Sequence, residues 1–211
     1  RHYLIAGERL PSVTNIISMT KKNEEKEALE KWKRENKDSE IILKESSNRG
    51  TLMHGYLSEM LLGKMNGELI EEVNLPKKMA ETIITHGLND YVKEVYASEE
   101  CVYSLKYKYA GTMDALICTQ DNKLQVCDFK QKNSPAKREY NSIRNYFTQC
   151  ILYAIAHNEI HGTQIQSSVI LMCTPNLIFQ KFEIEGQEFK DLQKEALERV
   201  ENYHQLISES T

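Results

Sequence analysis

Lys123-Leu124-Gln125-Val126-Cys127-Asp128-Phe129-Lys130-Gln131-Lys132 is the stretch whose reading decides the fold. Apolar Leu124 and Val126 alternate with Gln125 and Cys127, a period of two that marks a β-strand. The same count puts Asp128 and Lys130 on the face of Leu124 and Val126. A carboxylate and an ammonium then stand together where the strand leaves the core. Aspartate is a hard oxygen ligand suited to Mg²⁺ or Mn²⁺. A lysine two residues on can hold a phosphate or a metal-bound water. The plainer alternative is a strand end fraying into solvent with an ordinary ion pair.

Working outward, Asp121-Asn122 reads as a tight turn, and Thr112 to Thr119 as the preceding strand. Asp114 sits in that otherwise apolar run, seven residues before Asp121, and Asp128 lies six after Asn122, a roughly equal offset from the turn. The two carboxylates are therefore expected side by side across the pair. Adjacent carboxylates repel, and a divalent cation between them removes that cost. An outward-pointing Asp114 on an edge strand is the alternative. Val102 to Tyr109 reads as a further strand, and Gly111 allows a bend or a close backbone approach.

The loop from Asn133 to Lys137 leads to a helix over Arg138 to Asn158, on which Tyr146, Gln149 and Tyr153 share a face. These side chains suit contact with a phosphate or base, or simple helix-to-sheet packing. Gln166 to Cys173 and Leu177 to Ile184 read as a hairpin about Pro175-Asn176. A final amphipathic helix follows Gly186. Before the strands, Ser12 is a candidate N-cap, and 23–37 reads as a charged helix anchored by Trp32. Ser46 to Gly50 reads as the start of a helix bearing Met53, His54, Leu57 and Leu61. Arg49 and that helix start favour anions. His54 is a candidate metal ligand or a core histidine. Gly63 to Asn74 is an expected acidic linker, and Pro76 opens a long helix expected to run to Val95.

This order predicts an α/β (α+β) fold, a central mixed sheet of about five strands flanked by helices. The 211 residues suit a single domain, with 1–48 as an N-terminal helical or arch segment, 49–185 as the core and 186–211 as the last helix. The chain is 40% hydrophobic and 27% charged, ordinary for a globular protein, and no apolar run approaches a membrane span of roughly 20 residues. No secretory signal is visible, and Arg1 is not Met, which leaves open what precedes it. The net charge of −4 argues against a coat for duplex DNA, not against a local basic channel. Lys130, Lys132, Lys137, Arg138 and Arg144 form such a patch, or else a solvated loop. The five scattered cysteines point to a reducing compartment and exclude an iron–sulfur cluster or zinc ribbon.

Gly50-Thr51-x-x-His54, Gly111-x-x-Asp114, Asp128-x-Lys130 and Gln149-x-x-x-Tyr153 resemble, in order and spacing, the PD-(D/E)XK nucleases of the RecB type. Leu10-Pro11-Ser12-Val13-Thr14 and Leu29-Glu30-Lys31-Trp32-Lys33 are similar to the mitochondrial genome maintenance exonucleases and their phage relatives. The resemblance implies a restriction-endonuclease-like core with N-terminal helical additions. It implies a Mg²⁺- or Mn²⁺-dependent exonuclease cutting single-stranded DNA from ends, in replication, repair or recombination. His54, Asp114, Asp128 and the Phe129 carbonyl would bind metal, and Lys130 would position or activate water. Arg49, Thr51, Lys132, Lys137, Arg138, Tyr146, Gln149 and Tyr153 would contact DNA. The compartment would be an infected bacterial cytoplasm or a mitochondrial matrix.

Two departures stand out. Where relatives often carry glutamate four residues after the histidine, this chain has Ser58, and the neighbouring Glu59 is assigned no role. The usual Thr or Ser after the lysine is Gln131. The alternatives are a duplex-end exonuclease, a structure-specific endonuclease on the same core, or a non-catalytic DNA-holding subunit.

Overall fold

A computed structural model describes residues 2–63 and 74–209. Most of the expected linker therefore lies outside the described residues. An N-terminal hairpin, β1 (His2–Ile5) and β2 (Glu8–Pro11), turns at Ala6 and Gly7, both at positive φ (49° and 83°). Ser12 then caps α1 (Val13–Met19), its Oγ accepting from Asn15 N at 3.1 Å. Helices α2 (Asn23–Glu35), α3 (Ser39–Leu61) and α4 (Leu75–Ile83) follow, and a π-helical turn, Ile84–Leu88, closes α4.

The central sheet has the order β3 (Val92–Ser104), β4 (Tyr109–Thr119), β5 (Leu124–Gln131), β6 (Ser167–Cys173), β7 (Phe179–Glu185). All pairs are antiparallel except β5–β6. A parallel pair needs a crossover, and α5 (Asn141–His161) supplies it. Helix α6 (Gly186–Ser208) ends the described chain. The expected mixed five-stranded sheet flanked by helices is the observed fold.

The sheet is covered on both faces. Val126, Ile170 and Met172 pack with Val13, Ile16, Ile151, Leu152 and Phe189 from α1, α5 and α6. Cys127, Phe129, Val169 and Leu171 pack with Met53, Leu57, Met79 and Ile83 from α3 and α4. Burial on two sides explains why β6 is buried throughout and runs apolar from Val169 to Cys173 rather than alternating.

Three expectations are corrected. Ser46 to Gly50 does not start a helix; it lies inside α3, which begins at Ser39. Small polar residues are tolerated there because Gln131 docks on them. Its Nε2 donates to Ser46 O at 2.9 Å and Ser46 Oγ at 2.7 Å, and a Cβ on Gly50 would sit 3.5 Å from Gln131 Cγ. The anion-binding helix start expected beside Arg49 is therefore absent. The helix expected to reach Val95 ends at the π-helical turn, and β3 starts at Val92. Pairing with β4, Val95↔Ile117 and Ser98↔Ala115 among others, overrides the helical pattern. The strand expected over Val102–Tyr109 is instead the end of β3, a turn, and the start of β4. Glu159 fixes that turn by accepting from Ser104 Oγ, Leu105 N and Lys106 N.

Candidate active site

Five elements converge on an open cavity of about 1020 Å³ whose wall includes His54, Glu99, Asp114, Lys130, Gln149 and Tyr153. The β4–β5 hairpin supplies Asp114 and Lys130 to that wall, with Asp128 buried beside them and not among the described lining residues. The ladder runs to Ala115↔Cys127, and Asp114 and Asp128 are the next residues beyond it on their two strands. The ladder ends there, and Asp114 Oδ2 takes over the Phe129 N–H at 2.8 Å. The alternation of β4 also slips at this point. Tyr109 and Met113 belong to the α5 layer, whereas Ala115 and Ile117 belong to the α3 layer. Asp114 thus stands between the two layers and reaches His54 from α3, Oδ1 to Nδ1 at 3.5 Å.

Asp128 is 1% exposed, and neither of its oxygens accepts a hydrogen bond of good geometry among the described residues. Its neighbour is the Lys130 ammonium, with Nζ 2.6 Å from Oδ2. That contact engages Oδ2 and leaves Oδ1 without a partner among the described residues. Burial pushes the Asp128 carboxyl up to about 7 against the pull of Lys130, and the Asp114 charge adds to the rise. Burial would lower Lys130, but Asp128 and Asp114 outweigh it and the ammonium is held protonated. Burial likewise opposes both charges of the His54–Asp114 pair. Their mutual attraction prevails, raising His54 and lowering Asp114.

A buried carboxylate oxygen without a donor, beside a second carboxylate and an imidazole, belongs to a donor set that fits a hard divalent cation. One nitrogen of His54 and one oxygen each of Glu99 and Asp114 lie within 4.8 Å of one another. Glu99 is the site residue that the sequence reading missed. It lies on β3, between Ser98↔Ala115 and Glu100↔Met113, and so beside Asp114. Its φ of 54° is unusual for a glutamate in a strand. Ser98 Oγ lies 3.3 Å from Ser58 Oγ. The carboxylate missing at Ser58 is thus offered by the adjacent strand.

The opposite wall comes from α5. Gln149 Nε2 donates to Tyr153 Oη at 3.0 Å, and Lys130 Nζ lies 5.1 Å from the Tyr146 ring centroid. Gly111 makes this wall possible, since a Cβ there would sit 2.5 Å from Tyr153 Cε1. Thr51 lines the cavity on α3. Arg49 Nε donates to Gln131 Oε1 at 3.0 Å, so Gln131 ties β5 to α3 where Thr or Ser was expected.

Lys132, Lys137 and Arg138 are not among the described residues that line the cavity, nor is Trp32. Lys132 Nζ donates to Ser142 Oγ at 3.0 Å, and Arg138 pairs with Glu188 at 2.7 Å. Arg144 pairs with Glu195. Apart from Lys130, the expected basic patch is therefore partly neutralised by α6 and is not among the described residues that line the cavity.

No protein-family model and no curated protein matches this sequence. Among solved structures, the chain is similar to a candidate exonuclease from Eubacterium rectale, at 16% identity and a TM-score of 0.48, over 72% of this chain and 64% of that one. It is also similar to a phage-related exonuclease from Haemophilus somnus 129PT, at 17% identity and a TM-score of 0.39, over 75% and 83% respectively. The chain thus spans less than two thirds of the first of these proteins.

Proposed function

We propose that this chain is a divalent-metal-dependent deoxyribonuclease of the RecB-type PD-(D/E)XK kind. In this reading it hydrolyses phosphodiester bonds from the ends of single-stranded DNA, in replication, repair or recombination. One observation carries the reading: the buried Asp128, one step beyond the Ala115↔Cys127 pair and bound to Lys130 through Oδ2, keeps its Oδ1 without a donor among the described residues.

His54, Asp114, Asp128 and the Phe129 carbonyl hold the metal, and Glu99 completes the carboxylate set that Ser58 leaves short. Bound Mg²⁺ or Mn²⁺ supplies Lewis acidity toward the scissile phosphate and acidifies the attacking water. Lys130 stays an ammonium between two carboxylates, so it orients the water and offsets phosphate charge rather than accepting a proton. Gln149 and Tyr153 hold the strand at the reacting phosphate from the α5 side, and Tyr146 offers a ring on which a base stacks. Thr51 and Arg49 guide the strand along α3. Lys132, Lys137 and Arg138 follow the backbone beyond the cavity, where their pull is weakened by salt.

Single-strand selection belongs to the N-terminal segment. Helix α2 buries no residue and supplies none of the described residues that line the cavity, so in this reading it is an outer arch that admits one strand rather than core. The buried thiols Cys118, Cys127, Cys150 and Cys173 fit a reducing compartment, a phage-infected cytoplasm or a mitochondrial matrix. No described helix is long and apolar enough to cross a membrane.

The test is cleavage of end-labelled linear single strands, circular single strands and duplexes, with Mg²⁺, Mn²⁺ or chelator. The reading expects metal-dependent loss of the linear single strand with circles intact. Equal rates on single strands and duplexes would remove the arch, and cleavage unaffected by chelator would remove the metal mechanism.

A further inference from the structure

A second group of ligating side chains lies outside the cavity. His157 and His161 are one turn apart on α5, the i, i+4 spacing that presents two imidazoles on one helix face. Glu100 of β3 faces them. One atom from each of the three lies within 4.8 Å of the others, and His161 Nε2 is 3.4 Å from Glu100 Oε1. Ligands about 2.0–2.1 Å from a tetrahedral ion are themselves about 3.4 Å apart. The two rings sit 4.4 Å apart by centroid.

The tautomer of His157 can be read from its neighbours. Asn158 Nδ2 donates to Ile165 O at 3.1 Å, and Asn158 Oδ1 accepts from Ile165 N at 2.8 Å, which fixes the amide. Thr163 Oγ1 must then donate its only proton to Asn158 Oδ1, 2.7 Å away. The contact between Thr163 Oγ1 and His157 Nδ1, at 2.8 Å, therefore runs from the ring N–H to the hydroxyl. This leaves the lone pair on Nε2. Histidine ligands of zinc are oriented in this way, by a hydrogen bond from the other ring nitrogen. His157 is 5% exposed, and burial, with His161 beside it, keeps the ring neutral.

We propose that Glu100, His157 and His161 form a transition-metal site of the zinc type, separate from the catalytic cavity, with a solvent-facing fourth position. Two imidazoles and a carboxylate favour Zn²⁺ or Co²⁺ over Mg²⁺. The bound ion fastens the C-terminal end of α5 to β3, the strand that carries Glu99 at the preceding position.

The test measures Zn²⁺ binding by equilibrium dialysis of the full chain carrying Asp114→Asn and Asp128→Asn, which removes two carboxylates of the other ligand group. The expected result is one Zn²⁺ retained per chain, with four-coordinate d–d bands when Co²⁺ replaces it. His161→Gln and Glu100→Gln should weaken binding at least about 100-fold, and Thr163→Val about 10–100-fold. His161 is exposed, so its variant should keep the melting temperature of the parent in chelator. No retained Zn²⁺, or retention unchanged by both His161→Gln and Glu100→Gln, overturns the proposal. Binding is read without DNA, so the result does not depend on the nuclease reading.

Discussion

Asp128 concentrates the chemistry of this protein at the scale of one residue. A carboxylate at 1% exposure with an oxygen left without a donor is costly unless something occupies it. Asp128→Asn is expected to reduce DNA cleavage about 1000-fold or more, since a metal contributes several kcal/mol to the transition state. DNA binding should persist, and a filter-binding assay beside the cleavage assay checks both. The pH dependence follows from the same residue. In the metal-free protein its folded value is raised from 3.8 to about 7, so below about pH 7 metal must displace a proton. Mn²⁺ affinity should then fall with decreasing pH, by at most about tenfold per unit, and calorimetry in buffers of different ionisation enthalpy should detect the released proton. Gly111 gives a steric prediction. Gly111→Ala drives a methyl into Tyr153, 2.5 Å from Cε1. A loss of about 1–3 kcal/mol on denaturant unfolding is expected, and cleavage should fall with the displaced wall.

At the scale of elements, the β4–β5 hairpin was the most legible part of the sequence. Its turn residues are strong signals and Asn122 adopts the left-handed φ of 61°, but the loop runs from Gln120 to Asn122, and equal offsets from that loop bring Asp114 and Asp128 level, one step beyond Ala115↔Cys127. Strand β3 was not legible. It is an edge strand whose Lys93, Glu94, Glu99 and Glu100 blunt the edge but mimic a helix surface in one dimension. Missing β3 meant missing Glu99, whose place beside Asp114 depends on a pairing 15 residues away in sequence. The start of α3 was misread because Ser-Ser-Asn-Arg-Gly favours helix ends, and only its contact with Gln131 explains its helical state. Glu99→Gln is expected to weaken Mn²⁺ binding about 10–100-fold while leaving the fold intact. Unchanged Mn²⁺ affinity would return Glu99 to the role of a solvated edge residue.

At the scale of the molecule, the cavity is placed by layers that must stay in register. Arg199 of α6 ties together three helices of one layer, α1, α5 and α6. It donates to Thr20 Oγ1 and Ile17 O at the end of α1, and to Asn145 Oδ1 on α5 at 2.6 Å. Asn145 in turn donates to Glu25 of α2 at 2.9 Å. Arg199→Met should cost about 2 kcal/mol of stability through the groups left without partners, measured by chemical denaturation. Its effect on cleavage should exceed the effect of a solvent-facing change on α6 such as Lys194→Gln, because α2 loses its tie to α5. The N-terminal additions were legible as charged helices, but which side of the sheet they join was not. Their sequences carry too little apolar surface to point to a partner.

The most direct measurement is Mn²⁺ binding by the metal-free protein, followed by electron paramagnetic resonance in a His161→Gln background. The account predicts saturable binding that is lost when Asp114 and Asp128 are both changed to asparagine. Equal binding with and without those two carboxylates would contradict it.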